Sequence, residues 1–118
     1  MSYIKGVLST ENKDFAGIAS RLSNESSIRL LHGAVGIASE SGEVMDAIKK
    51  HVFYGKTLDK TNLKEELGDL FYYMGLIAHE LGVSFEEVMQ MNHDKLEKRY
   101  PGGFTEKLAQ ARLDKQGE

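Results

Sequence analysis

The feature that most constrains this chain is the spacing of its apolar residues. They recur every three to four positions almost throughout, and the alternating β-branched pattern of strands is missing. Proline, the strongest helix breaker, occurs once, at Pro101. An all-α fold follows, with helices that need only caps and glycines to separate them. The pattern predicts an irregular start and then a first helix from about Thr10 to Ser23. A second, capped by Asn24 or Ser23, continues to about Val52. Residues 51–62 read as a loop with Gly55 as breaker. Asp59 or Thr61 caps a third helix that stops near Leu81-Gly82. Ser84-Phe85-Glu86-Glu87 is a capping box for a fourth, which ends before Pro101. A short helix follows from Thr105. Four main elements of this kind make a four-helix bundle.

Size and charge narrow the options. A chain of 118 residues is read as one domain, with its core at about 10–104 and a tail at 105–118. Such a domain builds only a modest core, so pairing with other copies would help. With 15 Lys+Arg against 18 Asp+Glu, blanket phosphate neutralisation on a nucleic acid is not expected. There is no cysteine, hence no disulfide framework and no thiolate chemistry. The longest apolar stretch, Leu70 to Ala78, is too short to span a bilayer, and the N-terminus lacks the apolar run of a signal peptide. The expectation is a soluble, cytoplasmic protein without nucleic-acid or membrane partners.

Acidic pairs at i, i+3 are Glu11/Asp14, Glu40/Glu43, Glu43/Asp46, Glu66/Asp69 and Asp94/Glu97. A solvated face gives the same spacing, so position relative to the apolar arc decides among them. On the second helix Glu40 lies at the arc's edge, on a strip with Gly33, Gly36 and Ala47; Glu43 and His32 lie just beyond. That strip leaves room for a ligand or for another helix. On the third helix Leu63, Leu67, Leu70, Met74, Ile77 and Leu81 form the main arc. Glu66 and Asp69 sit at its border, and Tyr72 and Leu76 form a second wing beyond them. Carboxylates flanked by apolar surface on both sides are costly unless paired or bound to a cation. Two antiparallel helices could gather all four, and an all-oxygen set favours Mg²⁺, with Mn²⁺ as a substitute, over Zn²⁺. The bland alternative is a set of solubilising charges or interhelical ion pairs.

Lys49, Lys50, Lys56, Lys60 and Lys64 lie between the acidic pairs, and the fourth helix adds Lys95, Lys98 and Arg99. Lys95 and Arg99 share a face, with Asn92 one turn earlier and Tyr100 adjacent. A metal rimmed by cations suits a polyphosphate. Tyr73, one turn after Asp69, and His32, two turns before Glu40, are candidates to touch a sugar or base. Phe53 and Tyr54 are further candidates to stack on it. Tyr54-Gly55-Lys56-Thr57 is not a phosphate-binding P-loop, because Lys50 stands where that loop needs glycine. None of the histidines follows an acid by three residues, against di-iron chemistry.

The segments LLHGAVGIASESGEVMDAIKK, NLKEELGDLFYYMGLIAHELGVSFEEV and NHDKLEKRYPGGF closely resemble the MazG-like all-α nucleoside triphosphate pyrophosphohydrolases over roughly residues 28–104. The shared core is Glu-x-x-Glu followed by Glu-x-x-Asp, here Glu40/Glu43 and Glu66/Asp69. The resemblance implies cleavage of NTPs or dNTPs between the α- and β-phosphates, releasing a monophosphate and pyrophosphate. It implies that those four residues hold Mg²⁺, that Asn92 and Lys95 reach the phosphates, and that the chain forms a homodimer or tetramer with the nucleotide near a subunit boundary. Glu43 or Glu40 is the expected water-activating group. Rival expectations are a related pyrophosphohydrolase acting on phosphoribosyl-ATP or a modified nucleotide, and a non-catalytic helical interaction module.

Overall fold

The computed structural model describes residues 2–116 and is all-helical there, so the tail's last residues, 117 and 118, lie outside the described part. The helices are α1 (Tyr3–Thr10), α2 (Phe15–Leu22), α3 (Glu25–Tyr54), α4 (Lys60–Leu81), α5 (Phe85–Arg99) and α6 (Glu106–Ala111). The chain divides into two compact units, Met1–Ile77 and Ala78–Glu118.

In the first unit the expected irregular start is instead a helix, α1, with Ser2 as its N-cap. The expected helix from Thr10 is shorter and begins at Phe15. The reason is local: the Asn12 side chain accepts a hydrogen bond from the Asp14 N–H at 3.1 Å, and Asp14 in turn caps α2 through the Gly17 N–H. An Asx turn followed by a cap breaks what the apolar spacing alone would continue. Asn24 caps α3 by accepting from the Ser27 N–H at 2.9 Å, as its residue type predicts. Helix α3 then runs 30 residues, two beyond the expected end at Val52, until Gly55 takes the left-handed conformation at φ 66°. Asp59 opens α4: its carboxylate accepts from the Asn62 N–H and its carbonyl from the Leu63 N–H.

Helices α3 and α4 pack through glycine. Gly33 and Gly36 are buried, and a Cβ at Gly36 would collide with the Tyr73 ring. At Gly33 it would meet Ile77 Cγ1 at 2.7 Å and the Tyr73 carbonyl at 2.9 Å. The pairings Gly33 with Ile77 and Gly36 with Tyr73 run in opposite directions along the two helices, so the pair is antiparallel. At Gly33 and Gly36 the small-residue strip of α3 is thus filled by α4, whereas Ala47 lines an open recess.

In the second unit α4 ends in a Schellman motif. Gly82, at φ 68°, donates to the His79 carbonyl, and Val83 donates to that of Ala78. Ser84 caps α5 through the Glu87 N–H at 3.1 Å. Helix α5 stops at Arg99, before Pro101, and Gly102 and Gly103 turn the chain with φ of 80° and 115°. Thr105 caps α6, which packs on α5. Asp114 is buried there, 3.5 Å from Arg112 Nε and 3.9 Å from Arg99 Nε. Nothing in the sequence marked Asp114, since it lies beyond the last capped helix and outside any apolar period.

Among the described residues no apolar side chain is fully buried, and no helix is long and apolar enough to cross a membrane.

Candidate metal centre

One turn along the same seam from Gly36 and Tyr73, α3 and α4 bring acids together. One carboxylate oxygen each from Glu40, Glu66 and Asp69 lies within 4.8 Å of the others. Glu40 and Glu66 are half-buried, whereas Asp69 is exposed. Glu40 Oε2 is shielded from solvent and has no hydrogen-bond partner. A buried oxygen left without a donor needs a cation or a proton. Glu66 responds as expected of such a site. Its hydrogen bond to Glu40, its burial and the charges of Glu40 and Asp69 together push its carboxyl above the ordinary 4.5.

Glu43, the fourth expected ligand, is not one of these three. It lines the adjoining polar recess of about 220 Å³, together with Lys50, Lys56, Thr57, Asn62 and Glu66. Two lysines of the expected basic rim therefore sit beside the carboxylates. Lys50 is bound to Asp46 at 2.8 Å, which holds the Asp46 carboxyl below and the Lys50 ammonium above their ordinary ranges. The Lys56 ammonium makes no ion pair among the described residues. Its backbone is pinned: His51 Nδ1 donates to the Lys56 carbonyl at 2.7 Å, and the Lys56 N–H donates to the carbonyl of Lys50. His51 was not singled out from sequence, because a helix-end histidine bonding a backbone carbonyl leaves no residue pattern.

On the other side of the acids, the His32 ring meets Tyr73 edge-on at 5.6 Å, and Tyr73 meets Tyr72 at 5.2 Å. Glu25, Ile28, Arg29, His32 and Leu76 line a second recess of about 260 Å³. Leu76, one half of the expected apolar wing, is a wall of that recess, whereas Tyr72 is 60% exposed. Phe53 and Tyr54 are exposed at the end of α3.

The remaining candidates belong to the second unit. Asn92 and Lys95 are exposed on α5. Arg99 lies at its end, facing Asp114 and stacked 5.1 Å from the centre of the Tyr100 ring. Tyr100 also packs on Phe104 at 5.4 Å.

The donor set fits a hard divalent cation: three converging carboxylates, one with an orphaned oxygen, and no sulfur or imidazole among them. A family model, the MazG nucleotide pyrophosphohydrolase domain, matches residues 32–104, a span that contains all of these acids. The Gene 37 protein of Mycobacterium phage L5 is 30% identical over 81 residues, 65% of this chain and 71% of that one. No solved structure gives a significant match.

Proposed function

The chain belongs to the MazG nucleotide pyrophosphohydrolase domain family, and on that premise we propose that it is a Mg²⁺-dependent (d)NTP pyrophosphohydrolase that splits the α–β phosphoanhydride, a nucleotide-pool house-cleaning activity in the cytoplasm. The observation that carries the reading is the convergence of Glu40, Glu66 and Asp69 around the unpartnered Glu40 Oε2. These three would hold the metal, with Mn²⁺ as an alternative. When bound, it supplies charge neutralisation and Lewis acidity at the attacked phosphorus.

The protein's own tasks are positioning and proton handling. Glu43, outside the three-carboxylate cluster but in the recess next to it, is the base in this reading. A water oxygen bonds to the α-phosphorus and its proton passes to a Glu43 carboxylate oxygen. The bond from the α-phosphorus to the bridging oxygen breaks, and its electron pair leaves with pyrophosphate. The family resemblance assigns Asn92 and Lys95 to the phosphates; Arg99 and Tyr100 next to them are further candidates for substrate binding. The positions of His32 and Tyr73, two turns before Glu40 and one turn after Asp69, suit contact with the sugar or base.

Assembly is part of the proposal. With Met45 72% and Phe53 77% exposed along α3, the lone chain leaves bare the apolar surface that a four-helix, dimeric or tetrameric arrangement would cover.

The test is a panel of NTPs, dNTPs and phosphoribosyl-ATP with Mg²⁺, Mn²⁺ or chelator, the products resolved by chromatography. We expect monophosphate and pyrophosphate in equal amounts, only with metal, and loss of turnover in Glu40→Gln. Release of orthophosphate, or no cleavage of any nucleotide, refutes the reading. If Glu40→Gln changes stability alone, the chain is a structural module.

A further inference from the structure

The α3–α4 seam has two chemically different ends with the carboxylates between them. Pairings along it keep one antiparallel register: Gly33 with Ile77, Gly36 with Tyr73, and Glu40 with Glu66 and Asp69. Toward the N-terminal end of α3, the same register brings His32 and Leu76 to one recess. Toward its C-terminal end, it brings Glu43, Lys50 and Lys56 to the other, with Asn62 and Glu66 of α4. The first recess has two apolar walls, Ile28 and Leu76, and an imidazole ring, with the charged Glu25 and Arg29 beside them. The second has the ammonium of Lys56, unpaired among the described residues.

Resting on the reading above, we propose that the nucleotide lies along this seam in one direction: base against Ile28, His32 and Leu76, α-phosphate at Glu40, Glu66 and Asp69, and β- and γ-phosphates on Lys56. The base and the departing pyrophosphate stand on opposite sides of the α-phosphorus, so they need sites on opposite sides of the acids. The seam supplies two such sites, one at each end. The apolar walls that accept a base face are found in the first recess, whereas the second is lined by polar and charged groups, with the Lys56 ammonium to meet a phosphate. The spacing agrees. His32 precedes Glu40 by eight residues and Leu76 follows Asp69 by seven, about 10–12 Å of helix rise, the span of a sugar and a base. The second recess shares Glu66 with the acids, so a phosphate there is directly next to the scissile bond.

Lys56 is held for this task by the turn beneath it. Gly55 and Lys56 both donate to the Lys50 carbonyl, and His51 closes the turn from the other side through the Lys56 carbonyl. His51 is a positioning residue. Glu43, Asp46, Asp59 and Glu66 also border the recess, so a bare phosphate is repelled there, and pyrophosphate enters as its Mg²⁺ complex.

Product inhibition of the full chain distinguishes the two ends. For the dNTP cleaved fastest, the inhibition constants of Mg²⁺-pyrophosphate and of the matching monophosphate are measured in wild type, Lys56→Ala, Lys56→Arg, His51→Ala and His32→Ala. We expect Lys56→Ala to weaken pyrophosphate about tenfold, the loss of one charge-assisted contact, and to leave the monophosphate unchanged. Lys56→Arg retains pyrophosphate affinity, and His51→Ala weakens it less than Lys56→Ala. His32→Ala weakens the monophosphate and leaves pyrophosphate unchanged. The crossed pattern, equal shifts in both ligands, or no shift in either overturns the orientation. A wild type that cleaves nothing sinks the functional reading instead, and calorimetric binding of Mg²⁺-pyrophosphate to wild type and Lys56→Ala still tests the lysine.

Discussion

At the scale of single residues, the clustered acids tie stability to pH, and in the proposed reading a bound metal acts on the same carboxylates with the opposite sign. The Glu66 carboxyl is raised above 4.5 by its hydrogen bond to Glu40, by burial and by the charges of Glu40 and Asp69. The folded chain therefore keeps a proton that the unfolded chain gives up near that ordinary value. This contribution to stability is complete below the unfolded value and is lost as pH rises through the folded one. We expect the melting temperature in chelator to fall over that window, Glu66→Gln to flatten the fall, and Mg²⁺ to reverse it in wild type but not in Glu66→Gln. Circular dichroism melts across pH, with and without metal, check all three. At a hundredfold excess over its dissociation constant the metal adds about 2.7 kcal/mol. The candidate acids were visible as i, i+3 pairs with apolar surface on both sides. The separate place of Glu43 was not, because residues three apart on a helix diverge by about 60°, and only the angle at which α4 approaches decides whether both face the seam. Glycine spacing was equally ambiguous at Gly33 and Gly36: it offered room for a ligand or a helix, and Tyr73 and Ile77 take it. Gly36→Ala should therefore cost about 1–3 kcal/mol by overpacking. Gly6→Ala, with nothing within 4 Å of its Cβ, should gain up to about 1 kcal/mol from helix propensity. Urea denaturation separates the two.

At the scale of elements, the long helices were legible because each carries several turns of apolar period and an explicit stop. Asn24, Asp59, Ser84 and Thr105 all cap as their residue types predict, and Gly55 and Gly82 both end helices with positive φ. The short helices were hidden for a matching reason. An eight-residue helix such as α1 or α2 spans barely two turns, fewer than a period needs to stand out. The break between them rests on one Asx turn at Asn12. The Gly55 turn joins the acids' helix to the Lys56 recess, so its geometry bears on the proposed phosphate site as well as on folding. Gly55→Ala places a Cβ at φ 66° and should cost about 1–2 kcal/mol. It should also weaken Mg²⁺-pyrophosphate inhibition in the same direction as His51→Ala. A Gly55→Asn variant, whose side chain tolerates the left-handed region, should recover most of both losses, which thermal melts and inhibition assays together would measure.

At the scale of the whole molecule, the helical class and the family were legible, because spacing and motif are carried by the residues themselves. What covers the apolar surface was not, because a helical period marks a buried face without naming what buries it. The arc predicted for α4 contains Leu67 and Leu81, yet these are 51% and 65% exposed. On α3 an open apolar groove is lined by Val44, Met45, Ile48 and Phe53. A stable protein interface takes about 800 Å² from each partner, and burying one methionine side chain contributes about 1.5–3 kcal/mol. Met45 lies on that groove, away from Glu40, Glu66 and Asp69, so a charge there should disturb assembly before it disturbs chemistry. We expect wild type to scatter light as a dimer or tetramer at micromolar concentration, with a melting temperature that rises with protein concentration. Met45→Lys should raise the dissociation constant at least tenfold and shift the mass toward one 13.2 kDa chain. If the site draws on two protomers, turnover in Met45→Lys should fall with dilution and recover at high concentration. A dilution-independent rate per chain would place the whole catalytic apparatus within one protomer. A wild-type mass of one chain would refute the proposed assembly.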